Sequence, residues 1–166
     1  MRRADRQMGR RFGLAVIDRC PFATLCLTRP DGAPYGVAIS PVRMGQAVYF
    51  HSAVAGEKVE LLRGHGEVCL VCVGGVEQHL PDGSHLGYES AVVTGPIALV
   101  TDPEEKSEAM VALSLRYTPE KGERRAYIAK YLSALHVYRI DIRALTAKRK
   151  LTGPDGKPVR GEGDVD

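Results

Sequence analysis

The residues best suited to chemistry lie in one stretch, Val48-Tyr49-Phe50-His51-Ser52-Ala53-Val54-Ala55-Gly56-Glu57-Lys58. Its β-branched and aromatic residues predict a strand that ends on the polar pair His51-Ser52. Small residues follow, over which a ligand can approach the backbone, and Glu57–Arg63 then opens a short helix with Lys58 in its first turn. Unpaired amides and the macrodipole favour an anion at a helix start, and Lys58 adds a full charge, so the stretch suits a phosphate. The same residues also read as an ordinary strand-to-helix connection with an exposed lysine, and the local pattern leaves both readings open.

Other reactive side chains make weaker constellations. Cys69-Leu70-Val71-Cys72 has the spacing of a zinc or redox pair, but residues three apart on a strand point to opposite faces, so the two thiols read as small hydrophobes. With Cys20 and Cys26 they make four cysteines, read as free thiols in a chain that shows no secretory signal. His79, Asp82 and His85 share a loop without a second pair of ligand spacing, so no metal site is expected, and the loop reads as a lid over substrate. Arg2, Arg3, Arg6, Arg10 and Arg11 lack interleaved aromatics and read as a solvated arm or a dimer contact, not as a nucleic-acid surface.

Positioning these residues requires a folded domain, and 166 residues provide room for one. With 44% hydrophobic and 26% charged residues, disorder of the whole is not expected. The net charge of +3 is too small to imply nucleic acid, and the longest apolar run, Ala91–Val100, is broken by Thr94-Gly95-Pro96 before it could span a membrane. The basic opening lacks a signal's apolar stretch, so a cytoplasmic location is expected.

A short helix is predicted over residues 12–17, ended by Pro21, and Arg29-Pro30-Asp31-Gly32 predicts a turn joining strands Phe22–Thr28 and Pro34–Val42. Further strands are read at Ala47–His51, Glu67–Val73, Tyr88–Val100 with a bulge at Thr94-Gly95, and Val137–Ile142. Between them lie a long loop, Gly74–Leu86, a helix capped by Asp102-Pro103, and a second helix over Arg124–Leu135. Six strands with hairpin connections and late helices exclude a doubly wound parallel sheet and predict a mainly β (α+β) barrel with helices packed outside. The domain is placed at residues 1–150, including a basic arm at 1–11, and 151–166 is read as a flexible tail.

The run Tyr49-Phe50-His51-Ser52-Ala53, then Gly56-Glu57-Lys58 and Leu61-Leu62-Arg63, resembles the pyridoxamine 5′-phosphate oxidase-like flavoproteins, particularly their 5-nitroimidazole-resistance branch. Asp31-Gly32-Ala33-Pro34-Tyr35-Gly36-Val37, Tyr88-Glu89-Ser90-Ala91-Val92 and Thr146-Ala147-Lys148-Arg149 extend the resemblance over about residues 1–150. It implies a six-stranded antiparallel split β-barrel that forms a homodimer, with FMN in clefts between the subunits. It also implies that Val37, Ala38, Ile39 and Ser40 run along the flavin ring, and that His51, Ser52, Ala53 and Lys58 lie toward the ribityl phosphate or ring edge. Ser90 would stand near the flavin, and Lys148 or Arg149 would reach its phosphate.

Where the vitamin-processing oxidases carry an Arg-Lys pair, this chain has Gly56-Glu57-Lys58, which argues against pyridoxamine phosphate as substrate. The cofactor carries the redox chemistry, so no acid-base triad is required. His51 is the candidate catalytic residue, as proton donor or as a cofactor hydrogen-bond partner. The expectation is an FMN-dependent oxidoreductase acting on a small electron-poor substrate such as a nitroaromatic. Alternatives are a deazaflavin- or haem-binding barrel, or a flavin-binding module without turnover.

Overall fold

The computed structural model describes residues 3–64, 66–78, 83, 86–120, 122–153, 155, 157 and 159. Among them the order of elements is β1 (Gln7–Met8), α1 (Arg10–Arg19), β2 (Ala23–Thr28), β3 (Pro34–Ile39), β4 (Val42–Met44), β5 (Ala47–Ala53) and α2 (Glu57–Gly64). Then come β6 (Glu67–Gln78), β7 (Leu86–Leu99), α3 (Pro103–Tyr117), α4 (Arg124–Ala129), β8 (Leu135–Asp141) and β9 (Ala144–Lys150). None of these helices is long and apolar enough to cross a membrane.

The strands pair antiparallel in the order β3-β2-β6-β7-β8-β5-β4, with β9 beside β7 and β1 beside β9. Since β3 and β4 are edges, the sheet does not close, and the architecture is the expected split barrel with more strands than the six expected. One expected strand is broken at Ser40-Pro41 into β3 and β4, and β1 and β9 are additional. Proline cannot donate to a ladder, which is why pairing stops there. β9 escaped the sequence reading because its charged end, Lys148-Arg149-Lys150, resembles a chain terminus; pairing from Tyr88 to Thr94 holds it in the sheet.

β7 serves both halves of the barrel: Tyr88–Thr94 pairs with β9, and Ile97–Leu99 pairs with β8. At the changeover a side chain on Gly95 would lie 1.7 Å from the Asp141 carbonyl oxygen, so only glycine permits this backbone crossing. The bulge expected at Thr94-Gly95 is absent from the β6–β7 ladder, whose register shifts instead between Gly74 and Glu77. β6 therefore extends into the expected loop, and His79, Asp82 and His85 lie outside the described residues. The expected Arg124–Leu135 helix stops at Ala129, and after a single 3-10 turn Leu135 already belongs to β8.

Inside the barrel, Val16 and Ile17 of α1 pack with Leu25, Phe50, Leu70, Val93 and Ile140, all essentially inaccessible to water. α1 ends at Cys20 before Pro21, and Arg116 of α3 donates to the Ile17 carbonyl at 3.1 Å and to the Cys20 carbonyl, satisfying acceptors a helix end leaves open. A second core lies on the opposite face of β5, where Ala109 and Leu113 of α3 cover Ala47, Tyr49 and Val137. α3 begins as its sequence predicts, with the Asp102 carboxylate accepting from the Glu105 amide at 2.9 Å. Tyr49 fastens it by donating to Glu105 at 2.7 Å; burial, then that carboxylate, pushes the Tyr49 phenol up to about 12. Beyond β9, Thr152 is buried and the Val159 amide donates to the Leu151 carbonyl; residues 160–166 lie outside the described residues.

Candidate functional site

β5 is buried on both faces from Ala47 to Phe50, and its last three residues alternate exposed, buried, exposed. His51 follows Tyr49 onto the α3 side, whereas Ser52 follows Phe50 toward the barrel interior, where its hydroxyl donates to the Ala53 carbonyl at 2.7 Å. The expected His51-Ser52 pair is therefore divided by strand geometry, with only His51 open to a ligand on the α3 side.

After Ala53 the chain turns at Gly56, whose φ of 122° is one that side chains disfavour. The Gly56 carbonyl accepts from the amides of Val59 and Glu60, starting α2. This turn brings Lys58 back to the strand end, its Nζ 5.7 Å from the centre of the Phe50 ring. Burial lowers the Lys58 pKa. The His51 pKa is lowered first by burial and then by the Lys58 charge. The neighbouring acids are engaged elsewhere: Glu57 accepts from Arg29 at 2.8 Å and Glu60 from Arg63 at 2.6 Å. Among the described residues neither Lys58 nor His51 has a carboxylate partner, so an anion placed here would raise both pKa values and be bound by the same energy.

On its open side His51 meets a cavity of about 310 Å³ that also reaches Ser40. Its apolar walls are Met110, Leu113 and Tyr117 of α3 and Tyr127 and Ile128 of α4. Among the described residues, its lining apart from His51 carries no ionisable side chain other than the two tyrosine phenols. Tyr117 donates to the Pro41 carbonyl at 2.9 Å, fixing this wall over the β3–β4 junction. The helical contribution was missed from sequence. In the structure Tyr127 and Tyr131 are about half exposed, with rings 4.9 Å apart.

The remaining expected residues are divided between faces. Ile39 is buried in the barrel core and Val37 packs against it, whereas Ala38 shares the opposite face with Thr24, Val71 and Val92. Ser90 and Lys148 pair directly across β7 and β9 on that opposite face, with Lys148 Nζ 3.2 Å from the Tyr88 hydroxyl. Ala38 and Ser90 are thus three strand spacings apart, about 14 Å. Arg149 turns the other way, toward Glu89 at 3.2 Å. Cys69 and Cys72 fall on opposite faces of β6, half-buried and buried, as their spacing requires. One chain brings Ser40 and His51 to one cavity, holds Lys58 over Phe50 on the other face of β5, and sets Ser90 and Lys148 apart.

A family model described as pyridoxamine 5′-phosphate oxidase matches residues 13–149. Among solved structures, a candidate 5-nitroimidazole antibiotic resistance protein of Bacteroides thetaiotaomicron superposes with a TM-score of 0.73 at 23% identity, over 85% of this chain and 84% of that one. A conserved hypothetical protein of Mycobacterium tuberculosis gives 0.75 at 20% identity, over 97% and 96%. An FAD and haem binding protein of Mycobacterium smegmatis gives 0.70 at 22% identity, over 95% and 77%. These likenesses establish the fold. A search of curated proteins returned no match.

Proposed function

This chain belongs to the pyridoxamine 5′-phosphate oxidase family, and from that membership we propose that it is an FMN-dependent oxidoreductase of small, uncharged, electron-poor substrates such as nitroaromatics. The observation that carries this reading is that, among the described residues, His51 opens onto an aromatic-walled cavity while Lys58, without a carboxylate partner, reaches the same strand end from the Phe50 side. A flat ring needs the first and a phosphate needs the second. A bound flavin would supply hydride transfer. Lys58 would hold the phosphate by charge, and the His51 ring nitrogen would hold a proton for the product or donate a hydrogen bond to the cofactor. Tyr117, Tyr127 and Leu113 would exclude water and orient a planar substrate.

We place the complete site between two copies of the chain. The roughly 14 Å between Ala38 and Ser90 is more than one ring can bridge while also reaching Lys58. A second copy supplying Ser90 and Lys148 removes that conflict.

A second reading, haem, is favoured by the lowered pKa of His51, since a neutral imidazole at the mouth of an apolar cavity is a competent iron ligand. Purified protein titrated in parallel with FMN, a deazaflavin and haemin separates these readings. The expected result is quenching of FMN fluorescence at one equivalent per chain in a dimeric protein. A colourless monomer indifferent to all three overturns the proposal, and flavin binding without turnover by any donor reduces it to a binding module.

A further inference from the structure

Cys26 of β2 and Cys69 of β6 are direct partners in an antiparallel ladder. Residues so paired have Cα atoms about 4.5 or 5.5 Å apart, and both spacings fall inside the range a disulfide spans. Both side chains point to the outer face of the sheet and are half-buried, whereas Cys20 and Cys72 are 1% and 0% exposed. Two neighbours leave the pair uncovered: the residue opposite Cys26 on β3 is Gly36, which has no side chain, and the residue opposite Cys69 on β7 is the short Thr94. Burial, then the neighbouring Cys26 group, raises the Cys69 pKa, which keeps Cys69 protonated and leaves Cys26 to supply the attacking sulfur.

We infer that Cys26 and Cys69 constitute an oxidation site, a cross-strand dithiol that a hydroperoxide converts to an intrachain disulfide. In the first step the Cys26 sulfur attacks the peroxide O–O bond, giving a sulfenic acid and releasing water from hydrogen peroxide, or an alcohol from an organic hydroperoxide. In the second, the neighbouring thiol displaces the sulfenic oxygen as water and forms the S–S bond. Two thiols are oxidised by two electrons, and one peroxide is reduced. The register provides the second thiol before the sulfenic acid can be oxidised further. The bond would close a covalent ring from residue 26 to residue 69 that contains Ser40, His51 and Lys58, so the segment bearing the candidate site becomes fastened at both ends. The chemistry requires no flavin.

The test uses the full chain carrying Cys20→Ala and Cys72→Ala, so that Cys26 and Cys69 are the only thiols. Hydrogen peroxide should consume both thiols together, lower the mass by about 2 Da, and leave a product that dithiothreitol restores. By closing the ring, the bond should raise the melting temperature by about 5 °C or more. If that variant does not fold, fragmentation mapping of the oxidised wild-type chain gives the same answer, with a Cys26–Cys69 cross-link expected. A Cys20–Cys72 link, oxygen adducts on a single cysteine, a disulfide between chains, or thiols that survive peroxide levels oxidising a free thiol each overturn the assignment.

Discussion

At Glu89 a carboxylate only 5% exposed lies between Arg19, at 3.0 Å from its Nε, and Arg149, whereas at the end of β5 Lys58 and an imidazole, His51, that its charge holds toward the neutral form have no carboxylate partner among the described residues. The first cluster ties α1, β7 and β9 together, and Arg19 and Arg149 also lie 5.3 and 5.6 Å from the Phe12 ring centre. Burying a charge is costly unless it is paired, and here the pairing is internal. The second cluster has the cost without the pairing. A fold tolerates such an imbalance where a ligand completes it, so the charge balance separates a structural cluster from a binding one better than residue type does.

Three substitutions break or sharpen this contrast. Glu89→Ala removes the acid that Arg19 and Arg149 share across α1, β7 and β9, and should cost about 3 kcal/mol of stability in urea unfolding. FMN affinity of the folded fraction should stay the same; a comparable loss of affinity would erase the distinction between the regions. Lys58→Met should weaken FMN about 10- to 100-fold, with riboflavin, which lacks the phosphate, nearly unaffected, and should leave the protein without ligand as stable or slightly more so. Equal loss for both flavins would remove Lys58 from the phosphate site.

The smallest effect is that of pH on His51. Its folded pKa lies below the unfolded 6.5, so between the two values the unfolded chain binds more protons, and stability declines as pH falls through that window. Solvent screening at this exposed residue keeps the effect to about 0.5 kcal/mol or less. An anion has the opposite sign: by raising the His51 pKa it makes FMN bind more tightly as pH falls from 8 to 6. His51→Gln should flatten both trends in paired urea and fluorescence titrations, and a wild-type protein whose FMN affinity ignores pH would show that His51 does not sense the phosphate.

Much of this was legible along the chain. The Asp102 cap, the turn at Pro30-Asp31-Gly32, the helix from Glu57 and the β-propensity of β5 are local, set by dihedral and side-chain preferences within a few residues. β9 was not legible, because its three basic residues are held by a ladder to a strand more than fifty positions away. The helical wall of the cavity was not legible either: nothing near Tyr117 or Tyr127 in the chain announces His51, and they meet only because α3 packs across β5.

By itself the amino-acid order determined the element types, the class of fold, the family likeness and the anion-suited turn before Lys58. These follow from short-range rules and from residues adjacent in the chain. The tertiary structure alone decided that His51 and Ser52 part company, that Val37 and Ile39 turn inward while Ala38 faces out, and that among the described residues Lys58 lacks a carboxylate while Glu89 has two arginines. Burial and charge pairing are properties of the packed neighbourhood, and residues distant in sequence supply that neighbourhood.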